Sequence, residues 1–147
     1  METIIDLQFK RCLKLKKIRE FSRGRELSQK ELKSANSDLE SAQKTFTLGN
    51  YKWSTIQCYY SMFHSARALL YSKNFSEKSH RCLITALRVL YVNKGKLAFE
   101  FIEAFERAKM LREDADYYDR WSEEATEFLL DKAKELLREV KNILRGI

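Results

Sequence analysis

One stretch constrains this chain more than any other: Asn50 to Lys73, NYKWSTIQCYYSMFHSARALLYSK, which holds no Gly, no Pro and no acidic residue. Trp53, Ile56, Tyr60, Phe63, Arg67 and Leu70 recur at steps of three and four, the period of one helix face. Tyr59, Met62, Ala66 and Leu69 make a second face. A helix apolar on two faces belongs inside a small domain. The stretch therefore predicts a central helix covered by other helices, including one from a second subunit. Arg67 within it needs a carboxylate or several carbonyls.

Gly and Pro punctuate the rest. The chain of 147 residues has no proline, and its four glycines stand between periodic segments or near the end. This predicts an all-α, up-and-down bundle of four to five core helices plus a basic N-terminal helix. The expected division is 1–27 as basic helix and linker and 28–147 as the bundle. With 33% charged and 44% hydrophobic residues the chain is folded rather than disordered. Its net charge of +7 permits RNA, nucleotide or acidic-protein partners.

Cys12, Cys58 and Cys82 are far apart, with no CxxC, so structural zinc is not expected and the thiols read as isolated in a reducing cytoplasm. Neither a signal peptide nor a membrane span is expected.

In chain order, residues 3–21 read as a helix with Ile5, Phe9, Cys12 and Leu13 on one side. Lys10, Lys14 and Lys17 are candidate phosphate contacts on it, set against a plain solvated face. Ser28-x-x-Glu31 reads as a capping box opening a helix to about Leu48. Residues 73–79 read as a polar loop, with Ser79 capping a helix over 80–92. A further helix covers 97–111, with Met110 in its apolar set. Ser122 caps the last helix, with Glu123 and Glu124 in its first turn.

Residues 112–120 read as an aperiodic loop and the best candidate site. Arg112 would fork onto a phosphate, Asp116 orient it or act on a proton, and Tyr117 and Tyr118 stack on a base. The competing reading pairs Arg112 with Asp114 or Asp116. Glu77-x-x-His80 resembles half of a di-iron motif without its second half, so no metal is expected. His64 reads as a packed, hydrogen-bonded core histidine. No cofactor is implied, and no catalytic residue is assigned.

The runs GNYKWSTIQCYYSMFHSARALLY, KSHRCLITAL and LREDADYY resemble the HEPN family, and within it the UPF0332 branch of small archaeal and bacterial proteins. The resemblance runs from about Ser28 to Leu137. It implies a helical homodimer and a role in RNA or nucleotide biology. It also implies a minimal nucleotidyltransferase as partner in a two-component, toxin–antitoxin-like system. In many such pairs the HEPN member is a metal-independent ribonuclease with Arg, four to six residues, then His. Arg112 carries over as the motif arginine, but the fifth residue on is Tyr117. A phenol is a poor base near neutral pH. The expectation leans away from an enzyme, towards RNA or nucleotide binding through Arg112, Asp116 and Tyr117, with His80 as a further member. The alternatives are a ribonuclease toxin with a variant site, in which His80 approaches Arg112, and a structural protein-interaction bundle.

Overall fold

The computed structural model describes residues 1–146. Its elements are α1 (Ile4–Lys14), β1 (Ile18–Glu20), α2 (Gly24–Thr47), α3 (Tyr51–Tyr71), β2 (Phe75–Glu77), α4 (His80–Leu87), α5 (Phe99–Tyr117) and α6 (Glu123–Arg145). A π-helical turn, Arg88–Val92, extends α4. The expected all-α bundle is present, and α3 is its centre, packing on α2, α5, α6 and α4.

The α2–α3 contact has a simple chemical basis. Small residues recur every seven positions on both helices: Ser28, Ala35 and Ala42 face Ala68, Ser61 and Ser54. Each serine hydroxyl donates to the facing backbone carbonyl: Ser28 to Ala68, Ser61 to Ala35 and Ser54 to Ala42, each at 2.8 Å. A repeat of seven keeps two helices in register along a slight left-handed crossing. Short side chains let the backbones approach, and the buried hydroxyls lose no hydrogen bond in doing so.

Several expected boundaries shift. The first helix stops at Lys14 rather than near residue 21, because Lys16 takes a left-handed φ of 59° and the chain turns into β1. β1 pairs antiparallel with β2, Ile18 opposite Glu77, so residues 73–79 are not merely a loop. Ser28-x-x-Glu31 is not a capping box, since α2 begins at Gly24 and Ser28 lies in its buried seam. The cap comes from far away: Asn74 Oδ1 accepts from Arg25 N at 3.0 Å. Only glycine fits at 24, since a Cβ there would lie 2.3 Å from the Tyr71 carbonyl oxygen.

The caps at Ser79 and Ser122 and the left-handed break at Gly49 (φ 78°) are as the sequence predicts. Cys12 and Cys82 are not isolated: they form a disulfide that ties α1 to α4. Cys58 is free and buried, and burial pushes its thiol up to about 12, so it is no nucleophile. Among the described residues no helix is long and apolar enough to cross a membrane.

Candidate functional site

The segment expected as a loop is helical. α5 continues through Arg112 to Tyr117, and the chain breaks only at Asp119, with φ 54°. Polar residues obscured the helix because its last two turns bury one small side chain, Ala115. Helical spacing brings Arg112 and Asp116 to the same face, with Tyr117 one residue further round.

α3 supplies the other side. Its face bearing Trp53, Tyr60, Phe63 and Arg67 is not fully covered: Trp53 is 50% and Tyr60 40% exposed. The second face, Tyr59, Met62, Ala66 and Leu69, is buried as expected. Met110, expected inside, is also exposed.

The Arg112 guanidinium sits among three phenol rings, 5.1 Å from the centre of Tyr59, 5.6 Å from Tyr60 and 5.8 Å from Tyr117. The aromatic faces stabilise the cation while shedding its water. Arg112 donates to the Tyr117 hydroxyl at 3.2 Å and lies 3.5 Å from Asp116. The alternative of self-pairing is thus partly realised, through Asp116. Its Nε is buried and finds no partner among the described residues. A guanidinium held among three rings suits an anion arriving from its open side.

His80 joins this cluster through Tyr59. The Tyr59 hydroxyl and His80 Nδ1 lie 3.2 Å apart, and the imidazole packs on Phe105 at 4.7 Å between centroids. Ser79, by capping α4, fixes His80 in that helix's first turn. Burial first, then the charges of Lys109 and Arg112 against the opposing Glu113, pushes His80 down to about 4. At neutral pH it is an uncharged imidazole. Tyr59 is pushed above the ordinary phenol range by burial and stays protonated. The two therefore share a neutral hydrogen bond, with Tyr59 between His80 and Arg112.

Asp116, Tyr117 and Tyr118 are exposed, Tyr117 by 65%. Beyond them Lys52 spans Trp53 and Trp121, with its Nζ 5.5 and 5.7 Å from their ring centres, and pairs with Asp119 at 3.1 Å. The cluster thus borders a rim of exposed aromatic rings. The expectation from sequence omitted Tyr59 and Tyr60 from the site. Their signal was present: two phenols on the helix predicted to be central, needing polar partners.

His64 lies elsewhere, against α2. Its Nδ1 is 2.5 Å from Glu31 and its Nε2 3.6 Å from Asp38. Arg67, one turn on, forks onto Glu77, Nε to Oε1 at 3.2 Å and Nη2 to Oε2 at 2.7 Å. The histidine is hydrogen-bonded as expected, and of the partners open to Arg67 it meets carboxylates, Glu77 and Glu31 of its own subunit. Lys10, Lys14 and Lys17 are exposed on α1 and the turn after it, with Lys10 paired to Glu2.

The HEPN domain model matches residues 28–143. The chain belongs to the HEPN domain family. This HEPN chain is 31% identical over 124 residues to a "Putative toxin" of Methanocaldococcus jannaschii, covering 84% of this chain and 92% of that protein. A second "Putative toxin" of that organism is 31% identical over 139 residues, 88% of this chain and 93% of its own. A "UPF0332 protein" of Archaeoglobus fulgidus is 29% identical over 113 residues, 76% of this chain and 90% of that protein. The first 27 residues fall outside the HEPN match.

Proposed function

We propose that this HEPN protein binds RNA or a nucleotide at the Arg112 cluster, as one half of a cytoplasmic, toxin–antitoxin-like pair with a minimal nucleotidyltransferase. The observation that carries the reading is the guanidinium of Arg112, held among Tyr59, Tyr60 and Tyr117. A phosphate would meet the cation. A base would stack on Tyr60 or Tyr117, as aromatic platforms for single strands do. Asp116 would hold the arginine in place. The toxin names of the two methanogen relatives support the two-component setting. The exposed rings of Trp53 and Trp121 suit burial against a second copy, so a homodimer is part of the proposal.

One observation favours a second reading, a ribonuclease with a variant site. The imidazole of His80 reaches the arginine cluster through the Tyr59 hydroxyl, 3.2 Å from its Nδ1, the approach of a histidine to Arg112 that such a variant site requires. Metal-independent cleavage of RNA that persists in EDTA and disappears in His80→Phe would favour it over binding alone.

The test is anisotropy of a short labelled single-stranded RNA, with ATP in parallel. Arg112→Ala is expected to weaken binding by about tenfold or more, the scale of a lost charge-assisted hydrogen bond, with helicity unchanged. Wild-type affinity in that variant would remove the site.

A further inference from the structure

The segment outside the HEPN match does not hang free. α1 packs on α4, Cys12 is bonded to Cys82, and β1 pairs with β2. Between α1, α4 with its π-helical turn, and α5 it leaves a groove of about 780 Å³. That volume falls within the roughly 300–1,000 Å³ of small-ligand sites.

Arg11, Lys17, Arg81, Arg88 and Lys109 line this groove, against two carboxylates, Glu106 and Glu113. Lys109 and Glu113 neutralise each other at 3.2 Å. Among the described residues, Arg11, Lys17, Arg81 and Arg88 have no ion-pair partner. Four unpaired cations around one concavity concentrate positive potential there.

Two buried polar atoms have no hydrogen-bond partner and belong to residues lining the same groove, His80 Nε2 and Arg88 Nε. Buried polar atoms are rarely left so, and each such exception asks for an unseen partner. The protonated Tyr59 hydroxyl can donate to His80 Nδ1, and Nε2 then carries the hydrogen. Both orphaned atoms are in that case N–H donors. Four unpaired cations around one concavity select an anion that accepts several hydrogen bonds.

We infer that the N-terminal arm and α4 form a second phosphate-binding groove, in which Arg11, Lys17, Arg81 and Arg88 hold the phosphate groups of RNA or of a free nucleotide. The inference rests on the reading that the chain binds phosphate-bearing ligands, but it assigns different residues. His80 stands at the boundary, lining the groove while its Nδ1 meets the Tyr59 hydroxyl of the Arg112 cluster.

The test uses the full chain, a short labelled single-stranded RNA and ATP, each titrated over a range of salt. Arg11→Gln/Lys17→Gln is compared with Lys30→Gln/Lys44→Gln, which removes the same charge from exposed positions on α2 that do not line the groove. The groove pair should lower affinity about tenfold or more and flatten the logarithmic salt slope by roughly 1.4, two contacts at the single-strand value. The α2 pair should change neither by more than a third as much. Whichever ligand shows the loss, RNA alone or ATP as well, identifies the source of the phosphate.

Equal effects of the two pairs, an unchanged groove variant, or no binding of either ligand to the wild type would each overturn the groove. Loss in the groove pair with wild-type binding in Arg112→Ala would keep the groove and reject the Arg112 site. The opposite pattern would do the reverse.

Discussion

The two histidines of this chain occupy opposite electrostatic settings only sixteen residues apart in sequence. His64 lies between two carboxylates of α2, Glu31 and Asp38, with the Arg67–Glu77 fork beside it. His80 lies against Tyr59 and Phe105, facing Lys109 and Arg112. In the first region Arg67 already meets two carboxylates within the subunit, Glu77 and Glu31. In the second the cations outnumber their partners, and donors are left unmatched. A region whose charges are already satisfied has little to offer a ligand. One with surplus cations has more, and that contrast is why binding is proposed on the His80 side rather than at His64.

The largest expected effect tests the structural side. Glu77→Gln strips Arg67 of its forked partner, and the nearest remaining carboxylate, Glu31, stands 3.7 Å away. Because the Arg67 side chain is a quarter exposed, the loss should fall below that of a fully buried pair, at about 2 kcal/mol in urea denaturation. A change under about 0.5 kcal/mol would mean that solvent satisfies Arg67 and that the His64 region is no better paired than the other.

The next prediction concerns pH. The folded pKa of His80 is depressed to about 4 from an ordinary value near 6.5, so between those values the unfolded chain binds more protons. The stability that a neutral His80 gives is fully present above pH 6.5 and is lost as pH falls towards 4. With the ring partly open to solvent, the loss should stay under about 2 kcal/mol. His80→Phe should remove that part of the pH dependence, which thermal melts at pH 7 and pH 4.5 would read. An identical slope in wild type and variant would show that His80 titrates normally and would erase the contrast.

The smallest effect sharpens the functional side. Tyr117→Phe removes the hydroxyl that accepts from Arg112, at a largely exposed position, and should shift stability by less than about 0.5 kcal/mol. It keeps the ring, so stacking should survive and RNA affinity should change less than in Arg112→Ala. A loss of binding equal to that of Arg112→Ala would make the hydroxyl itself the ligand contact.

Much of the frame was legible in the chain. α3 and α6 carry long periodic stripes, and Ser79, Ser122 and Gly49 act locally, so neighbouring residues suffice to read them. Ser28-x-x-Glu31 misled because the same residue types serve distant partners, Ala68 for the serine and His64 with Arg67 for the glutamate. The strands at 18–20 and 75–77 are too short for alternation to show and exist only through each other. Cys12 and Cys82, separated by 70 residues, could not be paired from spacing.

The candidate site was half legible. Arg112, Asp116 and Tyr117 stood out by composition, whereas their helical geometry and the cage of Tyr59 and Tyr60 depend on how α5 crosses α3. The seam of Ser28, Ala35 and Ala42 against Ser54, Ser61 and Ala68 was readable in principle, as small residues every seven positions, but hydrophobic periodicity passes over small residues.

The most direct measurement is a proton–carbon spectrum of the two histidine rings during titration with a short single-stranded RNA. The account predicts that the His80 ring signals shift in step with binding while those of His64 stay in place. Movement of His64 with His80 unchanged would put the ligand on the carboxylate side of the molecule and contradict the assignment of the binding site to α4 and α5.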